Sequence, residues 1–540
     1  MNTRPTFHHP AAFWLGCLAI IGGVLAHVPM LWMGRHTGWQ MVGMPMDTTM
    51  LTGMAMIPVG LALSAWGLMP RLRSRPKSHG GAHSHLHFHV ADGVPLNAEH
   101  WKLVAVLVVA LAVDVLKPAT LGFVMPGMTH EYAISKQTAG LLALVALTGT
   151  TVGSVVWGRL ADAFGRRAAI LLSALMFIGT AICGAMPAFG WNLAMCFLMG
   201  ASAGGLLPIT FTLMAETIPA AHRGWLLVAL GGIGNSAGYV LAAGAAALLE
   251  PQFSWRVLWL LGLPTGLVII FLGRYIPESP RFLSSAGLEK EARAVLARFA
   301  GRPATTAAAD PAAPPPIVVE LEPDLLPVKA GMRDLLRGSH ASITWGLLAC
   351  GIAWGLVNFG FLLWLPTNLG SMGVDHSAAN ALLARSALLA LPGIALVIWL
   401  YHRWSSIKAL VLFTALTAAT LLVFCALSAL DIRSAAAMVA TTALLLVSSS
   451  GVIAMLIPYA TEIYPVHLRG TGSGLIAAGS KFGGILGAGF GVLGIFSHFA
   501  LSALLIALPM AIAAAVLLRN GIETRARTLE DIQRTLGSRA

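Results

Sequence analysis

"AETIPAAHRG" (residues 215–224) returns as "TEIYPVHLRG" (residues 461–470). Glutamate, proline, arginine and glycine keep their spacing, as Glu216/Glu462, Pro219/Pro465, Arg223/Arg469 and Gly224/Gly470. Each copy stands after the fourth apolar run in a set of six. A chance Glu-x6-Arg-Gly match is easy to find; the same match at the same ordinal place in two sets is not. A second echo closes each set, "IPESPR" (276–281) against "IETRAR" (522–527). The chain therefore reads as a duplication, and its fold has to be one that two related halves can build.

Outward from these motifs the chain is a succession of apolar runs. Fourteen are long enough to count: 11–33, 50–70, 101–125, 138–158, 168–187, 191–214, 224–248, 255–275, 342–366, 378–401, 407–429, 434–458, 471–496 and 498–518. At roughly 20 residues each they can cross a hydrocarbon core of about 30 Å as helix. Hydrophobic residues make up 57% of the 540 and charged residues 10%, where a soluble domain carries about 25% charged; mean hydropathy is +0.78. The short alternating segments of a β-barrel are missing, so the spans are expected to be helices, which satisfy their own backbone in lipid. The fold class is an all-α membrane protein whose surroundings are the lipid bilayer.

The interruptions give the organisation. Residues 1–70 hold an extra helix pair, 71–100 a His-rich linker, 101–275 one six-helix half, 276–341 a central loop, 342–518 the second half and 519–540 a tail. The central loop contains an amphipathic stretch, "GLEKEARAVLARFAG", and an Ala/Pro-rich piece, "ATTAAADPAAPPP", expected to be linker. The first apolar run is too long for a signal-peptide core and is expected to be a retained helix.

A formal net charge of +12 does not make this a nucleic-acid binder, because the basic residues cluster at span ends. Examples are Arg71, Arg73, Arg75 and Lys77, then Arg159, Arg166 and Arg167, then Arg519, Arg525 and Arg527. That is the positive-inside distribution. It assigns the basic loops and both termini to the cytoplasm and the loop 34–49 to the opposite side. Cys17, Cys183, Cys196, Cys350 and Cys425 all fall in spans and read as small apolar residues.

Related halves of six helices, with a site at their interface near the midplane, mark one large class of secondary transporters. "GRLADAFGRR" (158–167) closely resembles the signature loop of the major facilitator superfamily, and "PESPR" (277–281) with the paired Glu-x6-Arg motifs resembles its sugar-porter, organic-ion and synaptic-vesicle-protein-like branches. The resemblance covers about 100–525 and leaves the first two spans outside it. It implies a twelve-helix fold plus two N-terminal helices, and rocker-switch alternating access. It also implies that Asp162, Arg166, Glu216, Arg223, Glu278, Arg281, Glu462 and Arg469 latch the halves at the cytoplasmic end. The plainer alternative is that the arginines only anchor topology. Two departures count: Cys196 stands where many relatives have an arginine, and the stretch 351–366 lacks the paired glutamines typical of sugar porters. Hexose is therefore a poor fit.

Four ionisable residues lie deep in the spans, Asp114, Lys117, Arg385 and Lys481. A charge at the bilayer centre costs about 2.5–3.5 kcal/mol even on the lenient insertion scale, so each needs a partner or a wet cavity. Asp114 and Lys117, at i and i+3, share a helix face and can simply neutralise each other. Arg385 can snorkel outward. Lys481 has less escape: it lies twelve residues, or about 18 Å of helix, beyond Arg469. In organic-ion members of the superfamily this position resembles the charge-selecting site, basic in anion carriers. Lys117, Arg385 and Lys481 against Asp114 make an excess of cation that favours a carboxylate-bearing solute. Asn235, Tyr239, Trp354, Asn358 and Phe359 are candidate co-liners. Asp114 is the candidate proton carrier, since burial disfavours a carboxylate's charge and a nearby cation restores it.

The tract "HGGAHSHLHFHV" (79–90), with His36, Met41, Met44 and Met46 in the outer loop, is of a kind that binds Cu, Zn or Ni. Its spacing is loose and no Cys or carboxylate completes a set, so no metal site is assigned. The sequence holds no Walker-type nucleotide loop and no nucleophile–base set, and no cofactor is implied beyond a proton gradient as energy source. The reading is a proton-coupled carrier taking up a small, aromatic or other organic anion through a bacterial inner membrane. Its alternatives are an exporter of drugs or organic cations and a metal-responsive membrane sensor.

Overall fold

The computed structural model describes residues 9–68, 94–285, 288–300, 332–337, 340–371, 375–430, 434–464, 466–495, 499–525 and 536. The His-rich tract and the Ala/Pro-rich piece lie outside the described residues. Fourteen helices among the described residues are long and apolar enough to cross a membrane, and no strand occurs among them. They are α1 (Pro10–Thr37), α2 (Thr48–Leu68), α3 (Ala98–Glu131), α4 (Lys136–Ala161), α5 (Arg166–Ala185), α6 (Phe189–Thr217) and α7 (Ala221–Phe253). There follow α8 (Val257–Tyr275), α9 (Ala341–Leu362), α10 (His376–Arg403), α11 (Ser406–Ala429), α12 (Ala435–Ile463), α13 (Gly472–Val492) and α14 (Ala500–Asn520). α1 and α2 are the extra pair, α3–α8 the first half and α9–α14 the second. The multi-pass, all-helical fold expected from the sequence is the one found.

Helices outrun their apolar runs where polar groups hold the ends. α3 begins on a cap, the Asn97 side chain accepting from the backbone N–H of Glu99 and His100 at 3.0 and 3.2 Å, which satisfies donors that have no partner within the helix. It continues through Pro118 and Pro126 to Glu131. There Arg256, fully buried, donates to Glu131 through Nη2 at 2.6 Å and Nε at 3.2 Å. Its remaining Nη1 donates to the carbonyls of Gly184 and Met186, each at 3.0 Å. A buried ion pair is tolerable when every donor is used in this way.

The same carboxylate ties down the extra pair. The backbone N–H of Met41, in the loop between α1 and α2, donates to Glu131 Oε1 at 2.8 Å, and Trp39 meets Phe253 edge-on at 5.7 Å. Met41 is fully buried with Met30, Leu31 and Met50, so a thioether the sequence offered as a metal ligand serves packing. α1 and α2 touch backbone to backbone along glycines seven apart, Gly16 and Gly23 against Gly60 and Gly53. A Cβ at Gly23 would stand 2.6 Å from the Gly53 carbonyl oxygen; small residues are what allow such approach in lipid. Ile57 then packs the pair onto Gly179 of α5. The amphipathic stretch of the central loop is a helix, Glu289–Ala300, docked on the start of α3 by Asn97 Nδ2 donating to the Phe299 carbonyl (2.6 Å) and by the Arg298–Glu99 ion pair.

The two halves meet at both ends of the bundle. At the end opposite the basic loops, Asn380 of α10 donates to Glu250 of α7 at 2.5 Å. At the basic end Trp225 of α7 lies 6.3 Å from the His402 ring of α10, and a Cβ on Gly224 would stand 2.9 Å from Glu462 Oε1. Glu131→Ala is expected to strand Arg256 in the interior at a cost of about 3–5 kcal/mol, read as a fall in the unfolding midpoint of the purified protein. A midpoint matching the wild type would contradict this account.

Candidate functional site

Between the halves, at mid-depth, lies a cavity of about 140 Å³. Asp114, from the first half, and Lys481, from the second, both line it, with Asn235, Trp354, Asn358 and Phe359. Each faces it for a local reason. α13 approaches α9 closely at Gly483, where a Cβ would strike the Ile352 carbonyl, and at Gly355, where it would strike that of Ser480. That contact fixes the rotation of α13, turning Lys481 inward while its neighbour Phe482 is 54% exposed on the outside. In α9, residues Val357–Leu362 form a π-helical turn. The wider turn brings the consecutive residues Asn358 and Phe359 both to the cavity wall. Trp354 is held by its indole N–H donating to the Ser449 carbonyl at 2.9 Å and by edge-on contact with Phe359. Asn235 Nδ2 donates across the halves to Ser450 Oγ at 2.7 Å.

Lys117 and Arg385 are not brought to the cavity. Lys117 is buried behind Asp114, its Nζ 3.8 Å from Asp114 Oδ1, 3.5 Å from Ser202 Oγ and 3.6 Å from the Phe177 ring centroid. It is a counter-ion inside the first half, steadied by a cation–π contact, and does not line the cavity. Asp114 is within electrostatic reach of both lysines. Arg385 is exposed. Two residues on, Ala387 faces inward, and at about 100° per residue a two-residue offset points Arg385 away. Tyr239 stands one turn beyond Asn235 on α7, lining a small outer extension of the cavity.

At the basic end each half carries a latch. In the first, Glu278 Oε1 accepts from the backbone N–H of Arg166 at 2.6 Å and of Arg167 at 3.4 Å, at the start of α5. Ser279 Oγ donates to Glu216 at 2.5 Å, and Arg166 pairs with Glu216 at 3.6 Å. In the second half Glu523 accepts from the backbone N–H of Ser406, at the start of α11, at 3.1 Å and from the Ser406 hydroxyl at 2.6 Å. Thr524 Oγ1 donates to Glu462 at 2.6 Å, and Tyr401 donates to the same oxygen at 3.0 Å. The pattern is one and the same: an acid on the N-terminus of a half's third helix, where dipole and unpaired N–H groups favour it, followed by a hydroxyl bonded to the repeated glutamate. Arg223 donates to the Ile218 carbonyl at 3.2 Å. The side chains of Asp162, Arg281 and Arg469 lie outside the described residues.

Ser279, Glu523, Thr524 and Tyr401 were absent from the sequence reading. The signal was there, an acid followed by a hydroxyl in both "PES" and "ET", but aligning Ile276 on Ile522 shifts the two copies by one residue.

A model of Major Facilitator Superfamily sequences matches residues 103–488. The chain is 27% identical over 452 residues to the niacin transporter NiaP of Acinetobacter baylyi, covering 82% of this chain and 98% of that protein. It is 29% identical over 447 residues to the 4-hydroxybenzoate transporter PcaK of Pseudomonas aeruginosa, covering 80% and 95%. Among solved structures, the proton:xylose symporter XylE bound to 6-bromo-6-deoxy-D-glucose aligns with a TM-score of 0.65 at 17% identity, over 81% of this chain and 99% of that one. That likeness is one of fold.

The two latch acids respond oppositely to pH. Burial pushes the Glu278 carboxyl above its ordinary 4.5, although the N–H groups of Ser279, Arg166 and Arg167 pull it down. Burial would also raise Glu523, but the Ser405 and Ser406 hydroxyls and the N–H groups of Arg525 and Ser406 together hold it below 4.5. A lowered value means stability present above 4.5 and lost as pH falls through the folded value; a raised one means stability lost as pH rises. Glu523→Gln is thus expected to lower the unfolding midpoint at pH 7 more than Glu278→Gln does. Only the Glu523→Gln gap should close on acidification below 4.5, as melting curves across that range would test.

Proposed function

The chain belongs to the Major Facilitator Superfamily, and we propose that within it the protein is a proton-coupled importer of small aromatic carboxylates. It is a carrier, not an enzyme. In the same proposal it sits in a bacterial inner membrane, with the basic loops and both termini in the cytoplasm. The observation that carries the reading is that Lys481 and Asp114, one from each half, stand on the wall of a single cavity. Its volume, about 140 Å³, is close to the ~150 Å³ that takes up benzene in an engineered apolar cavity. Trp354, Phe359 and Phe211 supply aromatic walls. NiaP and PcaK, to which the chain is similar, are named for single-ring carboxylates.

Lys481 holds the substrate carboxylate, and Asp114 exchanges the proton. An ionised Asp114 competes with the substrate for Lys481, because both are anions facing one ammonium. Protonating Asp114 frees Lys481 for the substrate; releasing the proton on the other side returns Asp114 to Lys481 and expels the substrate. Lys117 stays behind Asp114 throughout and limits the cost of its charge. With the site empty and Asp114 ionised, the three side chains carry one net positive charge. With Asp114 protonated and a monoanion bound the total is again one, so neither half-cycle moves extra charge through lipid. Glu216 and Glu278 in one half, and Glu462 and Glu523 in the other, bond within their own half; these bonds brace each half at the cytoplasmic end and do not latch one half to the other.

Truncating one member of a buried charge pair costs about 2–5 kcal/mol. Lys481→Ala should therefore abolish the thermal stabilisation of the purified protein by benzoate; equal stabilisation of both forms would end the anion-site assignment. Asp114→Asn should retain substrate counterflow in proteoliposomes and lose proton-driven accumulation. Concentrative uptake by that variant would remove Asp114 from the coupling.

A further inference from the structure

The cavity continues toward the end opposite the basic loops into a nook of about 40 Å³. Asn235, Asn358 and Phe359 line both chambers, and the nook adds Tyr239, Ser449 and Ser450. Tyr239 is the feature that needs explaining. Its hydroxyl is shut off from solvent and has no hydrogen-bond partner among the described residues, while its ring packs 6.0 Å from Phe123. A buried hydroxyl left unpaired is costly, and Tyr239 lines the nook, so a small turn of its side chain brings the hydroxyl to whatever enters.

We infer that this nook is a subsite for a hydroxyl carried on the substrate ring across from the carboxylate, with Tyr239 as the residue that selects it. The inference rests on the reading of the cavity as a site for aromatic carboxylates. Tyr239 lies one turn outward from Asn235, about 6 Å along α7, and Asn235 also lines the chamber that holds Lys481. With the carboxylate on Lys481 and the ring beside Trp354 and Phe359, the distal substituent has two directions. Toward the basic end it would meet mainly apolar side chains, Leu111, Leu147, Phe211 and Ile457, with the hydroxyl of Thr150 already donating to the Ala146 carbonyl. Outward it enters the nook lined by Tyr239, whose hydroxyl can donate or accept, a space that holds a water or a hydroxyl and little more. An unsubstituted ring leaves room there for a water. A methyl group fills the space and strands the tyrosine, and sites built on a hydrogen bond discriminate most strongly against such a group.

The test is a cycle between one protein atom and one ligand atom. Binding of 4-hydroxybenzoate, 4-methylbenzoate and benzoate to the full-length protein is measured by calorimetry for the wild type and for Tyr239→Phe, which keeps the ring packing. The wild type is expected to favour hydroxyl over methyl by roughly tenfold or more. In Tyr239→Phe that preference should disappear, chiefly because 4-methylbenzoate binds more tightly, with benzoate little changed. A preference of equal size in both proteins, or none in the wild type, overturns the subsite while leaving the carboxylate site standing. Failure of all three probes to bind the wild type overturns both.

Discussion

The ammonium of Lys481 and the carboxylate of Asp114 face each other across a seam that must open and close. In hydrocarbon neither charge is acceptable alone. Lys117 relieves part of the difficulty by standing permanently behind Asp114 at 3.8 Å. The imbalance that remains is one cation, and it sits on the cavity wall. Everything else in the core of the bundle is arranged around keeping that cation there: the glycines that press α13 on α9, the π-helical turn that aims an amide and a ring at the same space, and the cross-half bond from Asn235 to Ser450.

The basic end solves a different problem with repeated parts. A helix start that faces the membrane edge has unpaired N–H groups, and both halves cover theirs with a glutamate from the segment that follows the sixth span. Because the next residue is a hydroxyl bonded to Glu216 or Glu462, the sixth span, the third span and the end of the fourth are tied in one knot. The first-half knot uses a carboxylate that burial makes reluctant to ionise and the second-half knot one that its donors keep charged. Duplication preserved the geometry while the electrostatics of the two copies drifted apart.

The fold was legible because the repeat and the run lengths are both properties of the chain itself. Lys481 was legible for the same reason, since a count from Arg469 along a helix gives depth. Direction was not. Lys117 and Asp114 share a helix face, yet three residues of offset and a flexible stem take the lysine to Phe177 and the aspartate to the cavity. Arg385, at similar depth, faces away because its helix presents Ala387 and Ala390 inward, which apolar runs rich in alanine do not reveal. The Glu523–Thr524 latch was hidden by a one-residue slip between the copies. Nothing in the chain order joins Met41, Glu131 and Arg256, which meet only because three separate helix ends converge.

That convergence changes how the two halves compare as moving bodies. The extra pair is seamed by its own glycines, leans on α5 through Ile57 and is pinned to Glu131 by a backbone bond, so it travels with the first half. One body then has eight helices and the other six. When they rock against each other, the larger meets more drag from the wider ring of lipid around it and turns through the smaller angle. The second half, which bears Lys481, becomes the lighter rotor and turns further than the broader body that holds Asp114.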